Sequence, residues 1–414
     1  MKKFLALTLA LVMSLSLVAC GDKKTDDTKT DAPDQTEQPA ENEGAYKVAM
    51  ITDYGDITDQ SFNQTTYEAC KAFAEDNSIE FSYFRPAGDN TADRVAMIEK
   101  AVDEGFNVIV MPGYAVGGAI VEAAPEFPDV KFIALDVAAG DLLETAVAKA
   151  GEAYDFNPSN WDLNKYVDMS NVYCAVYQEE LCGYMAGYAA VKLGYKNLGF
   201  LGGMAVPAVV RYGYGFVQGV DAAAADLGLT DVTVNYVYGG QFFGDADITA
   251  VMDTWYAGGT EVVFACGGGI YTSAVDAAKK ANAKVIGVDV DQAGVIAGYA
   301  GVEGMTVTSA MKGLYPTTYD TLTDVIVNGN WEKYVGKIET LGLVSGTDPE
   351  ANYVQIPMGD GTQWSDSFTQ DDYKAMVKDM FDGKITVSNN TSSDVSAADF
   401  ATVITVDDQG SIKG

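Results

Sequence analysis

The sequence predicts an α/β protein with two doubly wound parallel-sheet lobes and a ligand cleft between them. Short, nearly continuous apolar runs alternate with longer amphipathic stretches along most of the chain, the pattern of strands covered by helices on both faces. The alternation comes in two successive series. Three of the runs end in an aspartate, and open parallel sheets bind ligands in the crevice beyond the carboxyl ends of their strands. At 414 residues the chain is long enough for two cores, since a domain takes about 100 to 200 residues.

The runs of the first series are KVAMIT from Lys47, EFSYF from Glu80, NVIVM from Asn107 and KFIAL from Lys131. Between the first two, Phe62, Thr66, Ala69, Cys70 and Phe73 fall on one stripe of a helix that starts near Ser61. Val95, Ile98, Ala101 and Val102 repeat the pattern behind the capping group Asp89-Asn90-Thr91. A weakly patterned insert follows at roughly 140–170. The second series begins at Asn171 with NVYCAVY and continues with NLGFL, TVNYVY, EVVFAC and KVIGV, the last from Lys284. The run MTVTS, 305–309, and the tail beyond residue 340 complete one or both sheets. The expected lobes are 46–170 plus about 293–318, and 171–292 plus about 319–414.

Residues 1–20, MKKFLALTLALVMSLSLVAC, have a basic start, an apolar stretch too short for a membrane span of about 20 residues, and a small residue before Cys20, as in a signal peptide. Residues 21–45 are acidic and lack large apolar side chains, so they read as a disordered linker. Beyond Cys20, the cysteines Cys70, Cys174, Cys182 and Cys266 match no zinc or CxxC spacing. Cys174 and Cys182 are candidates for a pair, while Cys70 and Cys266 read as buried thiols.

Charge and composition exclude several functions. With 26 basic against 59 acidic side chains the net charge is −33, which argues against nucleic acid and against phosphorylated ligands. The chain has no histidine, so Ser-His-Asp and Cys-His catalysis and His-ligated zinc are absent.

The acidic stretch ITDYGDITDQSFNQ, 51–64, gathers Asp53, Asp56, Asp59, Phe62 and Asn63 just past a strand. It lacks the spacing of a calcium loop, so no metal or cofactor is implied. Asp53, Asp136 and Asp289 each follow a strand, where a single Asp is often only a turn or cap residue, yet three at equivalent positions point to a polar cleft. Phe62 fits either a helix core position or a stacking ring, and Phe242 and Phe243 in YVYGGQFFGD are candidates for the opposite wall. Asp289 and Asp291 also stand two apart after an apolar strand, as in aspartate-nucleophile phosphatases, but Ala293 replaces the Thr or Val such enzymes want.

Six blocks in order, ITDYGDITDQSFNQ, QEELCGYMAGYAA, LGFLGGMAVPAVVRYGYGFVQGV, VVFACGGG, IGVDVDQ and VTSAMKG, resemble the basic membrane protein family of bacterial lipoproteins, of the purine nucleoside receptor type. LVAC likewise resembles a lipobox. The resemblance implies a type I periplasmic-binding-protein fold and a non-enzymatic solute-binding protein, lipid-anchored through Cys20 on the extracytoplasmic face of the cell membrane. Such a protein captures nucleosides and delivers them to ABC transporter permease subunits, without nucleic acid or cofactor, and a monomer is expected. It implies that Phe62 and a phenylalanine of 242–243 stack on the base, that Asp53, Asn63 and Asp136 contact base or ribose, that Asp289 and Lys312 hold ribose hydroxyls, and that Gly268 admits close backbone approach. A nucleoside-sensing surface lipoprotein and a phosphatase using Asp289 and Asp291 are the alternatives.

Overall fold

Residues 45–413 are described in a computed structural model. The expected signal peptide, Cys20 and the expected linker up to residue 44 lie outside the described residues.

Thirteen strands form two sheets among the described residues. The strands are β1 (Lys47–Ile51), β2 (Glu80–Phe84), β3 (Val108–Pro112), β4 (Lys131–Leu135), β5 (Val172–Tyr177), β6 (Asn197–Gly202), β7 (Thr233–Tyr238), β8 (Val262–Cys266), β9 (Lys284–Asp289), β10 (Thr306–Lys312), β11 (Lys337–Leu341), β12 (Val354–Gln355) and β13 (Thr405–Ser411). The first sheet runs β2-β1-β3-β4-β5-β11, and the second runs β13-β7-β6-β8-β9-β10-β12. All pairs are parallel except β10 with β12. Apart from their edge strands the two orders are equivalent, β1 to β5 matching β6 to β10.

Three strand assignments differ from the expected lobes. NVYCAVY is the fifth strand of the first sheet, with Phe132 opposite Val172 and Leu135 opposite Ala175. The run around 306–312 belongs to the second sheet, paired with β9, and β11 in the tail returns to the first sheet beside β5. A fully apolar strand such as β5 announces burial on both faces but carries no record of its neighbours, so its pattern alone left the sheet open. The chain therefore crosses between sheets three times: after β5, after β10 and after β11.

Both faces of each sheet are covered. Along β1, Val48 and Met50 join one buried cluster while Ala49 and Ile51 join another, the period-two alternation of a strand. The cluster that holds Val48 also contains Phe200 and Phe264 of the second sheet, so one apolar core runs through both lobes. The insert at 140–170 folds as the helix Ala139–Lys149 and two short turns, and Leu142, Ala146, Val167 and Met169 bury against the first sheet. Cys70, Cys174, Cys182 and Cys266 are all buried free thiols, so Cys174 and Cys182 do not pair.

The helix that carries the chain out of the first sheet, Glu179–Lys192, packs on Pro207–Leu227 almost backbone to backbone. Gly183 and Gly187 face carbonyls of Tyr212 and Phe216, and Gly215 and Gly219 face carbonyls of Glu180 and Tyr184. A Cβ on Gly215 would lie 2.1 Å from the Glu180 oxygen. Backbone cannot yield as a flexible side chain does, so the helices would have to separate. This contact holds Glu179 beside Arg211.

Gly215→Ala is expected to lower stability by about 1–3 kcal/mol despite the better helix propensity of Ala. Gly298→Ala, on an exposed helix position with nothing within 4 Å, is expected to raise it by up to about 1 kcal/mol. Urea denaturation of the two variants against the parent checks both signs.

Candidate ligand-binding site

A cavity of about 520 Å³ lies at the carboxyl ends of both sheets. Asp53, Phe62, Asn63, Asp136, Phe242, Phe243, Gly268, Asp289 and Lys312 all line it, so the fold brings together every ligand-contact candidate named from the sequence. Asp291 is not among the lining residues. Its exposed carboxylate accepts from the N–H of Ala293 at 3.0 Å, so the paired aspartates of a phosphatase do not converge.

The three carboxylates of ITDYGDITDQSFNQ do different work. Asp53, buried at the end of β1, accepts from the N–H groups of Tyr54 and Gly55 at 2.6 and 2.7 Å, and desolvation outweighs these bonds and raises its carboxyl. Asp56 sits at the rim, 3.0 Å from Arg85, and is held low chiefly by the Thr58 hydroxyl. Asp59 takes the N–H groups of Ser61, Asn63 and Gln64 at 2.9, 2.9 and 3.1 Å, satisfying the orphan donors that open the helix Phe62–Asn77. That places Phe62 and Asn63 at the cleft end of the first helical turn.

Asp136 and Asp289 occupy equivalent positions at the ends of β4 and β9, and both have left-handed backbone, at φ +58° and +66°. That conformation is costly for a residue with a Cβ and turns the chain sharply at the strand end, carrying each carboxylate into the cleft. Between them lies Lys312, the last residue of β10 and only 6% exposed. Its ammonium contacts Asp136 directly, Glu179 at 3.4 Å and Asp289 at 3.7 Å. It also stands 4.7 Å from the Phe62 ring centroid and 5.4 and 5.5 Å from those of Tyr177 and Tyr212. Burial opposes its charge, but the carboxylates led by Asp136 more than compensate and hold the ammonium above its ordinary value. Asp136 is lifted by burial against the pull of Lys312.

The network crosses the cleft. Asp136 belongs to the first sheet and Lys312 to the second. The Ser61 hydroxyl donates to Asp289 at 2.5 Å, and Gln292 Nε2 donates to the Gln60 carbonyl at 3.1 Å. Tyr54 and Tyr114, which follow β1 and β3, both donate to the Met204 sulfur, at 3.6 and 3.8 Å. Arg211 Nε donates to Glu179 at 2.6 Å and Tyr212 to Asp289 at 3.3 Å. Asn63 Oδ1 and Asp136 Oδ1 are buried acceptors without a protein donor.

On the second lobe Phe242 packs over the backbone of Gly203 and Gly267. A Cβ on either would fall 2.4 or 2.9 Å from its Cδ1, and Gly267 has φ +151°. Phe243 is 57% exposed at the rim. Sequence reading missed Ser61, Glu179, Arg211, Tyr212, Tyr114 and Met204. Five of these stand inside the quoted blocks, but nothing in their spacing separates a cleft residue from a core one.

Facing lobes of parallel sheet with carboxylates and rings turned into the gap define the architecture of a periplasmic-binding-protein type solute-binding protein. A solved solute-binding protein of Aeropyrum pernix superposes with a TM-score of 0.59 at 19% identity, covering 84% of this chain and 88% of its own. The chain belongs to the Bmp family, described as "ABC transporter substrate-binding protein PnrA-like", whose pattern matches residues 46–347. The ABC transporter nucleoside-binding protein BmpA of Lactococcus lactis is 25% identical over 404 residues, 94% of this chain and 99% of that protein. An uncharacterized lipoprotein of Pyrococcus abyssi is 24% identical over 353 residues, 82% of this chain and 74% of that protein. Among the described residues no helix is long and apolar enough to cross a membrane.

Burial sets a pH dependence. It pushes the carboxyl of Asp59 up to about 6 and those of Asp141 and Glu180 to about 7, against ordinary values of 3.8 and 4.5. The folded state thus holds more protons than the unfolded chain from about pH 4 to 7, and stability falls as pH rises through that window. Acids held low, such as Asp324 at about 2, are ionised in both states there and add no slope. The melting temperature is expected to be higher at pH 5.5 than at pH 8, and Asp141→Asn, which keeps the bond from the Ala138 N–H, is expected to narrow the difference. Scanning calorimetry across that range checks it.

Proposed function

We propose that the protein captures nucleosides, purine nucleosides in preference, and hands them to the membrane permease of an ABC transporter without chemical change. The supporting observation is the convergence of Asp53 and Asp136 from one sheet with Asp289 and Lys312 from the other around a single cavity that also holds Phe62 and Phe242. Carboxylates accept strong charge-assisted bonds from ribose hydroxyls and ring N–H groups. Asn63 Oδ1 and Asp136 Oδ1 offer two buried acceptors to such donors. Phe242, backed by glycine backbone, presents a fixed ring face to a base, and a purine offers it more area than a pyrimidine.

Six acidic and three basic side chains line the cavity, which favours an uncharged guest over a nucleotide. Cys20 supplies the attachment to lipid, and two or more acyl chains suffice for stable anchoring on the extracytoplasmic face. The mature protein works as a monomeric clamp, since residues from both lobes meet one ligand.

Calorimetric titration with adenosine, guanosine, inosine, cytidine, uridine and simple sugars tests the reading. Purine nucleosides are expected to bind best and their 5′-monophosphates at least tenfold more weakly. Asp289→Ala and Asp136→Ala are each expected to cost about 1.5–3 kcal/mol of binding, and Phe242→Ala about 1–3 kcal/mol, with Phe243→Ala affected less. Preferential binding of sugars, or full nucleoside affinity in both aspartate variants, contradicts the assignment.

A further inference from the structure

The loop that carries Phe242 is fastened from behind by the last described residues of the chain. Segment 396–413 lies beyond the stretch that matches the family, and ATVITVDDQG has no counterpart in the sequence blocks above. The fold nevertheless anchors it firmly. The buried carboxylate of Asp221, on helix Pro207–Leu227, accepts from the N–H groups of Thr402, Val403 and Ile404 at 2.7, 2.8 and 3.3 Å and from the Thr402 hydroxyl at 2.6 Å. From that turn β13 adds to the exposed edge of β7, Gln409 accepts from the Trp255 indole at 3.1 Å, and the Ile412 N–H donates to the Tyr238 carbonyl at 2.8 Å.

These contacts deliver Lys413 to the segment leaving β7. Its ammonium pairs with Asp245 and donates to Gln241 Oε1 at 3.1 Å. Gln241 Nε2 in turn donates to the Phe243 carbonyl and to Asp245, both at 2.9 Å. Asp245 caps the helix Ala246–Ala257 through the N–H groups of Asp247 and Ile248, each at 3.0 Å. The approach is close: a Cβ on Gly240 would fall 2.6 Å from the Lys413 carbonyl oxygen.

We propose that Lys413 is a positioning residue for ligand capture, which fixes the loop presenting Phe242 to the bound base by bridging Gln241 and Asp245. The inference rests on the reading of Phe242 as a ring contact. YGGQFFGD holds three glycines, whose backbone freedom must be given up when the loop orders around a guest. On the cleft side its backbone is held by the Gly269 N–H, which donates to the Phe242 carbonyl at 2.9 Å. The lysine bridge restrains the other side before any ligand arrives, and that lowers the ordering cost of binding.

The test compares calorimetric affinity for adenosine and inosine in the parent, Lys413→Ala, Lys413→Arg, Phe242→Ala and the double variant Lys413→Ala with Phe242→Ala. Lys413→Ala is expected to bind about three- to tenfold more weakly. Lys413→Arg is expected to restore most of the affinity, and Lys413→Ala to cost nothing further once Phe242 is gone. An equal loss in both backgrounds, or none in either, overturns the proposal. Should the parent bind neither nucleoside, the functional reading fails by itself. Hydrogen exchange at amides 240–245 then decides the loop's restraint: faster exchange in Lys413→Ala supports it and unchanged exchange overturns it.

Discussion

A single buried ammonium holds the cleft together. Lys312 is almost wholly removed from water, and removing a lone cation from water costs several kcal/mol that only nearby anions can offset. Asp136 supplies one of those anions from the opposite lobe, while Asp289 and Glu179 come from its own side and from the connecting helix. The arrangement depends on the backbone behind it. Left-handed turns at Asp136 and Asp289 aim the carboxylates, and the glycine-to-backbone packing of two helices places Glu179 between Lys312 and Arg211. With three carboxylates against Lys312 and Arg211, the cluster keeps an excess of acceptors, which suits hydroxyl and N–H donors and disfavours phosphate.

A solute-binding protein must prefer its closed form only when loaded, because only contacts that differ between states shift the balance. The contacts across this cleft include Lys312 with Asp136 and with the Phe62 ring, Ser61 with Asp289, Gln292 with Gln60, and two tyrosines on one methionine sulfur. Net hydrogen bonds contribute about 0.5–1.5 kcal/mol each between neutral groups and about 1.5–3 kcal/mol to charged ones, a range in which a ligand's own contacts compete. The three chain crossings between sheets connect the two lobes.

The sequence made the chemistry of the site more legible than the partition of the fold. Strand ends are marked by aspartate after an apolar run, so Asp53, Asp136 and Asp289 were readable as cleft residues, and all three line the cavity. The sheet to which each strand belongs was not readable. β5 and β10 each pair with the strand that precedes them, and β11 returns to β5 across distant sequence, pairings that residue pattern alone does not encode. Glu179, Arg211 and Tyr212 escaped notice for a related reason: they act through tertiary proximity fixed by helix packing, and helical spacing does not encode it. Asp59 stands in the same acidic stretch as Asp53, but its carboxylate is taken up by three backbone donors at the start of the first helix.

The claim that Lys312 ties the lobes together is tested most directly by a distance across the cleft. Spin labels at Glu99→Cys and Lys279→Cys, exposed on helices of the first and second lobes, report that distance by pulsed electron resonance, since the native cysteines described here are buried. In the ligand-free protein, Lys312→Met is predicted to shift the distribution to longer distances while circular dichroism shows the helices and sheets intact. An unchanged distribution in a folded Lys312→Met variant would contradict the account.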